Sequence, residues 1–89
     1  MKLIISNHAK VRMQQRGISK ECIEHVIAFG KEYYRTGVFT YLMTKTAVKE
    51  LLRMGVISSQ AADWKGVYVI LRNGRVETVA HKHKRFKLS

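Results

Sequence analysis

Residues 67–81 read VYVILRNGRVETVAH, and this stretch decides the fold class because it predicts a β-hairpin. Two runs of branched and aromatic residues, which favour strands, lie on either side of Asn73-Gly74. Asn-Gly is the strongest short-range hairpin signal, because both central residues of its tight turn need a positive φ. Residues 67–71 are almost continuously apolar, which predicts a central strand covered on both faces.

The residues before this hairpin predict a second hairpin and a helix. Residues 32–43 are rich in aromatic and branched side chains around a Thr36-Gly37 turn, which predicts two more strands. The apolar residues that follow recur at helical spacing until Gly55, which predicts a short helix between the hairpins. Residues 56–65 show neither period and predict a loop with room for a short turn, anchored on the core by Trp64.

The N-terminal third predicts a short strand followed by two helices. Three apolar residues before Ser6 indicate the strand. Ser6 then supplies an N-cap oxygen for a helix that ends at Gly17. Ser19 caps a second helix that ends at Gly30.

Together these elements predict an α+β domain in which helices pack on one face of a mostly antiparallel sheet. Residues 1–81 form the single domain, and residues 82–89 form a basic C-terminal tail. A chain of 89 residues has room for one small hydrophobic core.

The charge balance indicates a polyanionic partner. The sequence holds 17 Lys and Arg against six Asp and Glu, a formal net charge of +11. RNA, DNA or an acidic protein would complement that charge. The single cysteine excludes an intramolecular disulfide and favours a reducing cytoplasm. No apolar stretch approaches the roughly 20 residues of a membrane span, and the N-terminal apolar run is too short for a signal peptide. We therefore expect a cytoplasmic protein without a membrane partner.

Several classes of catalytic site find no support in the sequence. His81 and His83 have no thiolate partner and stand among cations, so we expect no metal ion and no other cofactor. The sequence contains one aspartate, Asp63, and no Gly-x-Ser-x-Gly nucleophile elbow, which argues against a serine hydrolase. Cys22 and His25 lie on and beside the apolar face of the second helix, which indicates a core thiol and a partly buried structural histidine.

The first predicted helix carries the clearest functional pattern. At about 100° per residue, its residues His8, Arg12, Gln15 and Arg16 fall within roughly a third of the circumference. An imidazole flanked by two permanent cations can bind a phosphate and move a proton beside it. A solvated helix face on which two arginines happen to align would give the same pattern.

The composition leaves open one class of catalysis, in which basic side chains and tyrosine transfer protons and stabilise negative charge. Metal-independent RNA cleavage needs a base for the 2′-hydroxyl proton, an acid for the leaving oxygen and cations beside the phosphorane. Histidine, lysine, arginine and tyrosine can fill these roles without a carboxylate. The available set is His8, Arg12, Arg16, Tyr41, His81 and Lys82.

Residues 6–19 follow the pattern S-x-H-A-x-x-R-M-x-x-R-G-I-S and precede a hairpin, a helix and the final RNGRVxT hairpin. In this the chain resembles a bacterial and phage domain-of-unknown-function family grouped with RelE/ParE-like toxins and the wider barnase, EndoU, colicin and RelE superfold. The resemblance implies two N-terminal helices on a four-stranded antiparallel sheet, and a toxin-like ribonuclease. The positions that match the motif are His8, Arg12, Arg16 and Thr78.

The sequence leaves three functions open. In the first, a metal-independent ribonuclease, His8 is the acid or base and His81 or Tyr41 the second proton-transfer group. Its phosphate-binding residues are Arg12, Arg16, Lys82, Lys84 and Arg85. In the second, the same residues hold nucleic acid without chemistry. In the third, a ParE-like basic protein inhibits an acidic protein target. A toxin would also imply a small acidic antitoxin as partner.

Overall fold

In the computed structural model, residues 3–82 are described, and they form three α-helices, a 3₁₀ helix and five strands. The chain begins with β1 (Ile4–Ile5), α1 (Asn7–Arg16) and α2 (Lys20–Phe29). A hairpin of β2 (Lys31–Arg35) and β3 (Val38–Leu42) follows, and then α3 (Lys45–Arg53). A 3₁₀ helix (Ser59–Trp64) leads to the final hairpin of β4 (Val67–Arg72) and β5 (Arg75–His81).

The strands form one five-stranded sheet in the order β1-β5-β4-β3-β2. Strands β2 to β5 pair antiparallel, whereas β1 pairs parallel with the start of β5. The predicted α+β class is therefore confirmed, but the sheet has five strands and is mixed rather than four-stranded and antiparallel. The parallel pairing is possible because β1 and β5 lie far apart in the chain, so no tight turn fixes their relative direction.

The α-helices and the apolar core lie on one face of this sheet, here called the inner face. Val67, Val69 and Val79 project from β4 and β5 into the core and are at most 1% exposed. Ile23 and Val26 of α2 pack in the same cluster and are fully buried. The opposite side, on which no helix of residues 3–82 packs, is the outer face.

Both hairpins turn through the two residues that the sequence predicts. Thr36 and Gly37 have φ values of 51° and 80°, and Asn73 and Gly74 have φ values of 51° and 73°. Two successive residues with positive φ match the right-handed twist of the flanking strands. These turns pair Arg35 with Val38 and Arg72 with Arg75, so that they set the register of both hairpins.

One sequence prediction in this region needs correction. Residues 59–64 form a 3₁₀ helix where a loop was expected, although Trp64 packs against the core as predicted. Strand β4 is central, as predicted, although helices of residues 3–82 pack on only one of its two faces. Its outer-face residues Tyr68 and Ile70 are half-buried, and Leu42 and Ala80, which pair with Tyr68, are buried, so the outer face of β4 is partly covered.

Candidate nucleic-acid interface

Helix α1 is capped and held in place by the residues that the sequence singles out. The Ser6 hydroxyl accepts a hydrogen bond from the Ala9 amide at 3.0 Å, and Gly17 ends the helix in the left-handed conformation, with a φ of 63°. The Ser6 hydroxyl also donates to the Glu77 carbonyl at 2.9 Å, and the Ser6 amide donates to the Val76 carbonyl at 2.9 Å. Ser6 therefore joins the start of α1 to the edge of β5.

The packing of α1 leaves its basic residues toward solvent. Ala9 is fully buried and Met13 packs against the core, which fixes the inward side of the helix. His8 and Arg16 are exposed and Arg12 is half-buried. We call His8, Arg12, Gln15 and Arg16 the α1 stripe. Neither arginine of this stripe is in an ion pair with a carboxylate of the described chain, so their guanidinium donors remain available to a ligand.

Helix α1 packs most extensively against β5, the strand that ends at His81. His81 is exposed and pairs with Val67 across the hairpin, which places it at an inner-face position. Lys82 follows, and its amide donates to the Gly66 carbonyl. The α1 stripe, His81 and Lys82 therefore belong to neighbouring elements, although no hydrogen bond joins His8 to His81 within residues 3–82.

Tyr41 lies apart from the α1 stripe. It occupies an inner-face position of β3, and β4 separates it from β5. Its hydroxyl donates a hydrogen bond of 2.8 Å to a carboxylate oxygen of Glu32 on β2. Burial, followed by the bond to Glu32 and its negative charge, raises the pKa of Tyr41 to about 12. A phenol with this pKa stays protonated near neutral pH and is a poor general base.

Thr78 lies on the opposite face of the sheet from the stripe. Thr78 pairs with Ile70, which puts it on the outer face, whereas α1 packs on the inner face. Lys84 and Arg85, and the predicted tail beyond Lys82, lie outside the described residues.

Cys22 and His25 have the structural roles that the sequence predicts. Cys22 is 1% exposed, and its burial, with Asp63 and Glu21 adding to the effect, raises the pKa of its thiol to about 12. A thiol with this pKa is not a thiolate at neutral pH and is not an activated nucleophile. His25 is half-buried, and its Nδ1 atom lies 2.8 Å from the Glu21 carbonyl oxygen.

A comparison with known protein families shows to which family this chain belongs. A family model described as a domain of unknown function, DUF4258, matches residues 5–87. The chain belongs to the DUF4258 family. The match runs from the second residue of β1 through β5, so it includes every helix described above. Comparisons with curated proteins and with solved structures found no match.

The DUF4258 domain has a second basic surface, formed by residues that lie far apart in the sequence. Cross-strand pairing places Arg35, Val38, Arg72 and Arg75 in one row on the outer face. We call this the arginine row. The period-two pattern of Lys31, Tyr33 and Arg35 in β2 is the signal that could have indicated a basic sheet face.

Proposed function

We propose that this protein binds RNA through backbone phosphates, with the α1 stripe as the primary contact. The observation that carries the proposal is that Arg12 and Arg16 stand one helical turn apart on an exposed side of α1 without a carboxylate partner in the described chain. Arginine presents a planar fork of donors that matches phosphate geometry. The net charge of +11 adds long-range attraction for a polyanion.

The rigidity of α1 supports this function. The Ser6 hydroxyl is bonded at once to the Ala9 amide and to the Glu77 carbonyl, which holds the first turn against β5. A helix fixed in this way presents its arginines at constant spacing. Less conformational entropy is then lost when a phosphate backbone binds than would be lost on a mobile loop.

The test is a salt titration of RNA binding with charge-matched variants. A single-stranded RNA of about twelve nucleotides, within the range of known single-strand binding sites, serves as the probe. Arg12→Gln with Arg16→Gln removes two cations from the stripe, and Lys20→Gln with Lys49→Gln removes two exposed cations from α2 and α3. If two phosphate contacts are lost, the slope of log K against log salt becomes less steep by about 1.4 in the stripe variant.

The two variants have the same net charge, so a general loss of charge would weaken binding equally in both. Such equality would show that the α1 stripe is not the contact surface. A wild-type protein that binds no RNA at low salt would instead favour the acidic protein partner of the ParE-like alternative.

Metal-independent cleavage of the bound RNA is a second candidate function. It is favoured by the exposed His8 beside Arg12 and Arg16 on the α1 stripe. His81, at the other end of β5 from the Ser6 anchor, would be the second proton-transfer group. One histidine would take the proton of the 2′-hydroxyl, whose oxygen attacks phosphorus. The other would protonate the 5′-oxygen as its bond to phosphorus breaks, while Arg12 stabilises the added negative charge.

Incubation of RNA with the protein in EDTA tests this second function. His8→Ala should reduce cleavage by about 10² to 10⁴ while RNA affinity changes little. Tyr41→Phe is the control, since the Tyr41 hydroxyl is bonded to Glu32 away from the stripe, and cleavage should persist in it. Wild-type protein that binds RNA and leaves it intact would show a binding module without chemistry.

A further inference from the structure

The outer face of the sheet has the charge of a nucleic-acid surface. Beside the arginine row, pairing across β2, β3, β4 and β5 aligns Tyr33, Thr40, Ile70 and Thr78 in a second row. A third row is formed by Lys31, Leu42, Tyr68 and Ala80, of which Leu42 and Ala80 are buried, so the accessible part of this face is the arginine row and the second row with Lys31 beside them. Four of the residues in these three rows are Lys or Arg and none is acidic.

The arginine row ends at a surface depression that the side chains of Arg72 and Arg75 line, so that cations face a phosphate bound there. Its volume is about 380 Å³, and it is lined by Ile4, Arg72, Asn73, Arg75 and Glu77. Arg75 contacts Glu77 at 3.3 Å, but both side chains are substantially exposed, so this ion pair is weak. The guanidinium of Arg75 has further N–H donors that this single contact leaves available to a phosphate.

Tyr33 offers a surface on which an unpaired base can stack. It is half-buried in the second row, and the Lys31 ammonium lies 5.4 Å from the centre of its ring. Such an exposed cation–π contact is weak. A base can therefore replace it, and the released ammonium can move to a phosphate. Base–aromatic stacking requires a base whose face is not covered by its neighbours, as in a single strand.

We propose that the outer face binds single-stranded RNA, with phosphates on Arg72 and Arg75 and a base stacked on Tyr33. This inference rests on the RNA binding proposed above, to which it adds a second surface and a preference for unpaired strands. Charge complementarity decides the occupant. A second copy of the same face would meet it with like charges, and the predicted tail, residues 82–89, contains cations and no acidic residue.

The experiment compares a single-stranded RNA of about twelve nucleotides with an abasic strand of equal length. Wild-type protein should bind the RNA more tightly than the abasic strand. Tyr33→Leu should weaken RNA binding by about 5- to 100-fold and leave the affinity for the abasic strand unchanged. Tyr33→Phe should behave like wild type, because it keeps the ring. Thermal unfolding of each variant confirms that the fold is retained.

The arginine row is tested by Arg72→Gln with Arg75→Gln. This double variant should weaken binding of both probes, and the slope of log K against log salt should become less steep by about 1.4. Lys20→Gln with Lys49→Gln again provides the charge-matched control.

The outcomes separate this inference from the proposed function. If the α1-stripe variant loses RNA affinity while the Tyr33 and arginine-row variants do not, RNA binding stands and the outer-face proposal fails. The reverse result supports the outer face and overturns the role of the stripe. Equal affinity of wild-type protein for RNA and the abasic strand overturns the stacking. If only a chain lacking residues 84–89 showed Tyr33-dependent affinity, the tail would be the occupant and the proposal would fail.

Discussion

At the scale of single residues, the surroundings of Tyr41 change its chemistry most clearly. The sequence predicts that its phenol transfers a proton, but in the structure its hydroxyl donates a hydrogen bond to Glu32 on the neighbouring strand β2. The pairing of these two residues follows from the Thr36-Gly37 turn, which fixes the register of β2 and β3. A two-residue turn can be recognised from sequence, and so this contact could have been predicted once the turn was placed.

We predict that Tyr41 makes the protein less stable as the pH rises from about 10 to 12. The folded protein raises the pKa of Tyr41 to about 12, from an ordinary value of about 10. Its contribution to the free energy of unfolding is fully present below pH 10 and is lost as the pH approaches 12. The measurement is denaturant unfolding across this range, in wild-type protein and in Tyr41→Phe.

The control for this prediction is a tyrosine without the Glu32 contact. The pKa of Cys22 is also raised, from 9.0 to about 12, so its contribution to the free energy of unfolding is lost over that range, but equally in both proteins. The wild-type curve should therefore fall more steeply than that of Tyr41→Phe, whereas Tyr34→Phe, which removes an exposed phenol, should follow wild type. Parallel curves for wild type and Tyr41→Phe would contradict the predicted linkage.

At the scale of elements, caps and turns were predictable from sequence and the partner of β1 was not. A serine N-cap and a C-terminal glycine act on their own helix, so α1 and α2 could be delimited from local residues. Strand β1 is two residues long, and its partner in β5 lies about seventy positions later. No local pattern specifies such a pairing. The same limit explains why the placement of α1 beside β5 could not be predicted.

We predict that Ser6→Ala destabilises the fold more than Ser19→Ala. Each hydroxyl accepts a hydrogen bond of 3.0 Å from the amide three residues later, so the two caps are matched. Ser6 additionally donates to the Glu77 carbonyl, which ties α1 to β5. The cap and the added bond together are worth about 1–3 kcal/mol, against about 1 kcal/mol for the cap of Ser19.

Urea unfolding of the two alanine variants measures this difference. The midpoint should fall further for Ser6→Ala, with an unchanged dependence on urea concentration. Equal midpoints would show that the bond to Glu77 adds nothing to the cap. Since the α1 stripe depends on the same anchor, Ser6→Ala should also weaken RNA binding while leaving all cations in place.

At the scale of the whole molecule, sequence predicts the excess of positive charge but not its arrangement. Three of the six acidic residues already have partners, since Glu50 contacts Arg53, Glu77 contacts Arg75 and Glu32 accepts from Tyr41. The placement of cations on the α1 stripe and on the outer face follows from the five-stranded topology. No helix within residues 3–82 is long and apolar enough to cross a membrane.

This charge predicts that added potassium chloride stabilises the folded protein while it weakens RNA binding. Folding brings the excess cations close together, and their repulsion is screened as the Debye length falls. The midpoint temperature of unfolding should therefore rise with salt.

If about five phosphates are bound on the two surfaces, log K should fall against log salt with a slope of roughly −3.5. Thermal unfolding and RNA titration over the same concentrations test both directions. A midpoint that falls with salt would mean that attractive ion pairs outweigh the repulsion, and salt-independent binding would exclude phosphates as the main contact.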